Sequence, residues 1–295
     1  MNKMRQNFLP LFALAALALL SVPVTSSAQT ILLTASDFAI LGGTAVTSTG
    51  TVGTVVTNGN VGSAVAITGF PPGVITPPNE AIVGGSVVNQ ALIDLNTAIV
   101  GLAGMPSNTT LSNVDLGGLT LDPGVYTFGA AASQTGALVL DAQGQNNVFW
   151  VFQIGTSLTT TALSSVTLID PGTNGGSDDG IFWVAETGGI TIGADSTMLG
   201  NYLAATSITY SGTTTASGGV RSLAEAAVTL DQNQVNPLGG PGGSSFDGAL
   251  MYAPGGAVVP LVNIPEPAAF LWLAPLAALG LVIWRRRPAA NKQSV

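Results

Sequence analysis

Between Asp115 and Leu230 apolar and polar positions alternate in short bursts separated by Gly-rich corners. LTL at 119–121, LVL at 138–140, SVTL at 165–168, ITI at 190–192, SITY at 207–210 and VTL at 228–230 are the clearest instances. They recur at irregular spacings of roughly 17–25 residues, which points to stacked coils of a β-solenoid rather than a sandwich built from hairpins. Alternation directs Ile190, Ile192, Ile208, Tyr210, Val228 and Leu230 inward and Thr191, Thr209 and Thr229 outward. Three segments break the alternation: Val148–Ile154 (VFWVFQI), Ile181–Ala185 (IFWVA) and Met198–Ala204 (MLGNYLA). Near-continuous apolar strands of this kind are buried on both faces. The period changes once. Val88, Leu92, Leu95, Ile99 and Leu102 recur at three- and four-residue steps, predicting a helix of ~15–18 residues ended by Gly104 and Pro106. Its apolar stripe needs a partner, and the doubly buried strands supply one.

Upstream, a β-like stretch runs from Ile31 to about Ile67 and includes Phe38-Ala39-Ile40-Leu41 and the Thr/Val/Gly segment 44–58. Phe70-Pro71-Pro72-Gly73 reads as a rigid turn, since Pro fixes φ and Gly permits reversal. Downstream, residues 236–263 are rich in Gly and Pro and read as a linker.

The two ends of the 295-residue chain read as addresses rather than as fold. Residues 1–28 have the layout of a secretory signal: Lys3 and Arg5, an apolar run Phe8–Leu20, and the small-residue site Ser26-Ser27-Ala28. At the other end Pro265, Glu266 and Pro267 precede an apolar run, 268–284, and then Arg285-Arg286-Arg287. The run lies at the lower edge of a bilayer span, and the Arg cluster predicts a cytoplasmic end. The sequence therefore divides into a signal peptide (1–28), a solenoid domain (29–235), a linker (236–263) and a C-terminal tail (264–295).

Charge narrows the function. Of fifteen acids only Glu266 lies outside residues 29–264, and Arg221 is the single base inside them, so this segment carries about −13 against −8 for the whole chain. Such a balance repels phosphate backbones and excludes nucleic acid as a partner. The chain has no His and no Cys. Ser-His-Asp and Cys-His catalysis and most zinc sites are thereby removed, and no disulfide supports the secreted domain. Asp178-Asp179, within Gly172–Gly180 (GTNGGSDDG), has calcium-loop composition without recognised ligand spacing and reads as a solvated insertion between coils. Neither an enzymatic activity nor a cofactor or metal is expected.

Several motifs carry a resemblance. Ser36-Asp37-Phe38-Ala39-Ile40-Leu41, Ile67-Thr68-Gly69-Phe70-Pro71-Pro72-Gly73, and Asp115–Leu121 with Pro123-Gly124-Val125-Tyr126 are similar to segments of the microbial ice-binding protein family. So are Leu138–Gly144, Val151–Gly155 and Ala227–Asp231, in the same order and over about residues 31–235. The resemblance implies an all-β fold with one long helix: a discontinuous right-handed β-solenoid of triangular cross-section, the helix packed along one face. It also implies an ice crystal surface as partner, met by a flat regular face. The tail (Pro-Glu-Pro, short span, Arg cluster) resembles the PEP-CTERM sorting signal. That likeness implies an exosortase-type processing enzyme as a second partner, a membrane anchorage through the span before processing, and export to the cell surface or medium.

In the ice-binding family the contact face often shows loose Thr-Ala/Gly-x-Thr/Asn segments. Thr161-Ala162-Leu163-Ser164, Ala194-Asp195-Ser196-Thr197 and Ser211–Thr215 match that pattern, with Ser164 and Ala194 replacing Thr and Asp195 adding a charge. The candidate contact set is therefore Thr159, Thr161, Ser164, Thr197, Ser211, Thr213 and Thr215. Thr191, Thr209 and Thr229 form an alternative row, expected on the neighbouring face. A structural or adhesive matrix protein that keeps the fold without ice affinity is the competing reading.

Overall fold

The computed structural model describes residues 30–261 apart from 213–214, 217–218 and 241–242, together with the side chains of 215–216. The signal segment, the Pro-Glu-Pro motif and the apolar span lie outside the described residues, as does Thr213.

All the solenoid strands pair in parallel, and successive strands of a coil belong to three different sheets. Each coil visits the sheets in one order. Phe149–Ile154, for example, lies in a nine-stranded sheet, Leu158–Thr160 in a seven-stranded sheet, and Ser165–Ile169 in a third side, before Gly180–Ala185 re-enters the first. The third side is split into a three-stranded and a four-stranded sheet, and an isolated bridge from Ser165 to Thr197 extends the three-stranded one.

The coils are not stacked in chain order. Along the nine-stranded sheet the sequence of strands is Ala81–Val83, Asn60–Ser63, Phe38–Gly42, Val220–Ala224, Gly200–Ala204, Gly180–Ala185, Phe149–Ile154, Gly124–Phe128 and Thr109–Thr110. The first coil thus docks on the last one, with Ile40 opposite Ser222 and Leu41 opposite Leu223. Having built one end, the chain must travel to the other before it can fill the gap. The helix α1, Gly85–Ala103, makes that journey. Its nineteen residues cover about 28 Å at 1.5 Å per residue.

α1 buries Val88, Ala91, Asp94, Leu95, Ala98, Ile99 and Leu102 against the outer side of this sheet, and of the expected stripe only Leu92 stays partly buried. Gly180–Ala185 and Gly200–Ala204 are buried at every position because the solenoid core lies on one side and α1 on the other. Inside the solenoid Tyr126, Phe152, Trp183 and Tyr202 stack one above the next, with ring centroids 5.7, 3.9 and 5.6 Å apart. Stacked aromatic pairs contribute roughly 0.5–1.5 kcal/mol each beyond area burial. Gln153 ties α1 to the sheet. Its Nε2 donates to the carbonyls of Leu102 (2.8 Å) and Met105 (2.8 Å), satisfying backbone acceptors that a helix end leaves unpaired.

Two expectations require correction. Residues 236–263 do not behave as a linker over their described part. Phe246 is fully buried in the solenoid core, its carbonyl accepts from Ile181 N (2.8 Å) and Asn201 Nδ2 (2.7 Å), and Leu250–Tyr252 pairs antiparallel with Val258–Pro260 beside α1. Gly and Pro here shape a covering strap. Nor is Asp178-Asp179 a solvated insertion. Asp179 is fully buried, accepts from Val148 N (3.0 Å), and its carboxyl is pushed up to about 6 by burial.

Arg221, the single base of the domain, is also structural. It is 4% exposed and donates through Nε to Phe38 O (2.9 Å), through Nη2 to Ser36 O (3.0 Å) and through Nη1 to Asn201 Oδ1. Asp247 of the strap lies 3.7 Å away. One side chain thereby holds the first coil, the last coil and the C-terminal strap at the discontinuity.

Candidate recognition face

The seven-stranded sheet carries the site. Its strands, in order, are Ala132–Gln134, Leu158–Thr160, Ile190–Ile192, Ile208–Tyr210, Ala227–Asp231, Ala45–Thr49 and Ala66–Thr68. Every strand alternates, and the flanking positions point into the core. Ala132, Leu158, Ile190, Ile208, Val228 and Val46 are buried, and Ile67 packs against them. The intervening positions therefore point out, and the register aligns them. Ser133 pairs with Thr159, Thr159 with Thr191, Thr191 with Thr209, Thr209 with Thr229, Thr229 with Thr47 and Thr47 with Thr68. This is one unbroken row of hydroxyl side chains, six Thr and one Ser, about 29 Å long at the ~4.8 Å spacing of strands.

The row is flanked by small side chains. Two residues earlier on each strand stand Ala131, Ser157, Gly189, Ser207, Ala227, Ala45 and Ala66. Two residues later stand Thr135, Thr161, Gly193, Ser211, Asp231 and Thr49. Gly193 is required by the corner, since a Cβ there would lie 2.3 Å from the Thr161 carbonyl carbon. On the first six strands no aromatic or long aliphatic side chain interrupts the three rows, so the face is flat; on the seventh the chain turns at Gly69 (φ 81°) and Phe70 packs against the core. Asp231 is the one charge within these rows, and Asp115, bridged to Ser133, stands at the end of the central row. At one end of the sheet Asp115 accepts from Ser133 Oγ (2.8 Å), Thr135 Oγ1 (3.0 Å) and Thr135 N (2.9 Å). Burial opposes ionisation of Asp115, but the bonds from Gly117, Thr135 and Ser133 outweigh it and hold the carboxyl below its ordinary value.

The candidate residues are thus redistributed. Thr159 belongs with Thr191, Thr209 and Thr229 in the central row, so the alternative row is not on a neighbouring face. Thr161 and Ser211 flank that row on the same face. Ser164 is buried in the corner, 1% exposed, where its Oγ donates to Gln134 O (3.2 Å). Thr197 and Thr215 belong to the third side: Thr197 bridges Ser165, and Thr215 pairs with Gln234. The Thr-Ala-x-Ser segment marks where the chain leaves the flat face, because Leu163 at φ 62° turns it. Sequence reasoning missed Thr47, Thr68 and Ser133. For Thr47 and Thr68 the signal is a tripeptide of a small residue, an aliphatic one and Thr, seen in Ala45-Val46-Thr47, Ala66-Ile67-Thr68, Gly189-Ile190-Thr191, Ser207-Ile208-Thr209 and Ala227-Val228-Thr229, whereas Ser133 follows Ala131-Ala132 and lacks it.

Among the described residues no group of three or more acidic side chains is placed to hold a metal ion. A surface hollow of about 460 Å³, open to solvent, lies between α1, Gly43 and Glu225, and no residue of the Thr row lines it. The chain is thus a β-solenoid with a helix on one side and a flat hydroxyl lattice on another.

The chain belongs to the ice-binding-like family, whose model matches residues 40–236. It is 37% identical over 238 residues to an ice-binding protein of Nostoc sp. (strain HG1), covering 80% of this chain and 84% of that one. Among solved structures it is similar to an ice-binding protein of the Antarctic ascomycete Antarctomyces psychrotrophicus, with 33% identity and a TM-score of 0.62 over 70% of this chain and 98% of that chain. An ice-binding protein from an Antarctic biological consortium aligns with 30% identity and a TM-score of 0.61, covering 73% and 95%.

Proposed function

We propose that this protein binds ice through the seven-stranded hydroxyl face, and that it does so outside the cytoplasm or at the cell surface. The single observation that carries the reading is the continuous register from Ser133 to Thr68. Each Thr presents a methyl, which constrains neighbouring water, and a hydroxyl, which hydrogen-bonds it. Repeated at the strand spacing on a rigid support, these groups hold a water lattice that can merge with a crystal plane. Each contact contributes little, so affinity comes from many positions engaged together. A surface poor in strongly hydrated charges suits that contact, and the face carries only Asp231 in its rows and Asp115 at one end. The signal-like residues 1–28 support export. Pro265, Glu266 and Pro267, the apolar run and the Arg cluster support a membrane anchorage, with processing by an exosortase-type enzyme.

The test is recrystallisation inhibition by the purified protein. Fine-grained ice held just below melting is expected to keep small grains in its presence. Grains that coarsen as fast as in buffer would transfer the fold to the competing reading, a matrix protein without ice affinity.

A further inference from the structure

The strap fixes where the chain leaves the domain. Leu261 N donates to Ala249 O (2.8 Å), and Leu261 O accepts from Asn147 Nδ2 (2.8 Å). The hairpin just before it, Leu250–Tyr252 with Val258–Pro260, is held to the N-terminal segment by Tyr252 Oη donating to Ile31 O (3.0 Å). Asn147 stands two residues before the strand Phe149–Ile154, at the edge where the chain enters the helix-covered sheet from the third side. The hydroxyl face begins only past the opposite edge of that sheet, at Leu158. A three-sided solenoid has three edges, and Leu261 lies on the one edge that the hydroxyl face does not share.

We propose that the protein is a tethered ice anchor whose attachment point and recognition face lie on opposite sides, so that a surface holding the tail and an ice crystal can be bridged without reorientation. The inference rests on the ice-binding and tail-anchorage readings above. Between Leu261 and the apolar run beginning at Ala268 there are six residues, Val262–Pro267. Six residues reach about 20 Å at full extension. A tether that short holds the domain close to the surface, and a face on the near side would be shielded from a crystal. Placed at the far side, the face meets ice while the tail remains attached.

The chain contains no cysteine, so one introduced thiol gives a unique coupling point. Full-length protein in mild detergent, carrying Val262→Cys or Thr209→Cys, is coupled to maleimide beads and the beads are offered to a growing ice surface. Beads coupled through Val262→Cys are expected to be captured at least tenfold more efficiently than those coupled through Thr209→Cys. Equal capture through both positions overturns the proposal. So does failure of the Val262→Cys beads when the same variant, uncoupled, still partitions into ice. If the uncoupled, unmutated chain does not partition into ice, the ice-binding reading fails and takes this proposal with it.

Discussion

Thr209 is the fourth of seven residues in the hydroxyl row, and replacing it by Tyr is the sharpest perturbation of the proposed contact. Its register neighbours Thr191 and Thr229 stand about 4.8 Å to either side. A phenol ring rising above them holds a planar crystal off all three positions. At about 1 kcal/mol for each hydrogen-bonding contact, the loss is about 3 kcal/mol, a reduction in affinity of about 150-fold. Thr209→Ser removes one methyl and keeps the hydroxyl, which costs about 0.8 kcal/mol, or about fourfold. The two variants together separate a continuous flat contact from a sum of single bonds. The assay is partitioning into a slowly growing ice front, with the melting temperature as control, since an exposed strand substitution changes stability by about 0.5 kcal/mol or less. A Thr209→Tyr variant that partitions within twofold of the parent, with its fold intact, would refute the flat-contact reasoning.

Other consequences concern the scaffold. Leu95→Asp sets a charge at a fully buried helix position and is expected to lower the melting temperature by many degrees, or to abolish folding, because an unpaired buried charge costs several kcal/mol; an unchanged melting curve would show that the stripe is not packed. Arg221→Leu leaves the carbonyls of Phe38 and Ser36 and the Asp247 carboxylate without their partner, so denaturant titration should show a loss of about 3–5 kcal/mol. Asp179 is an acid whose folded value, about 6, lies above the ordinary 3.8. The native state holds its proton more tightly, so its contribution is full below about pH 4 and is lost as pH rises through 6, about 3 kcal/mol in all. Asp179→Asn should flatten the stability curve over that window, and an unchanged slope between pH 4 and 7 would contradict the assignment.

The fold was legible because its signals are local. Unalternated runs such as IFWVA mark strands covered twice, and the three- and four-residue steps from Val88 to Leu102 mark the cover. The face was only half legible. Alternation identified Thr191, Thr209 and Thr229 correctly as outward, but no local signal says which coils are neighbours. Thr47 and Thr229 lie side by side although 182 residues separate them, because the first coil docks on the last. A motif centred on Thr-x-x-Thr drew attention to corners, where Ser164 turns inward, rather than to the middle of the strands. Asp179 and Phe246 were misread for a related reason. Gly-rich surroundings suggest solvent, but here they allow close approach of a strap that buries both residues.

If one continuous row crosses the chain discontinuity, a bulky side chain at Thr47 must break the contact as one at Thr209 does. Thr47 comes from the N-terminal coils, is joined to Thr229 only by folding, and can be compared with Thr167→Tyr, an exposed strand position on the third side. Ice partitioning should fall with Thr47→Tyr about as far as with Thr209→Tyr, while Thr167→Tyr should leave it unchanged. Partitioning abolished by Thr167→Tyr and preserved by Thr47→Tyr would contradict the account and move the contact to the third side.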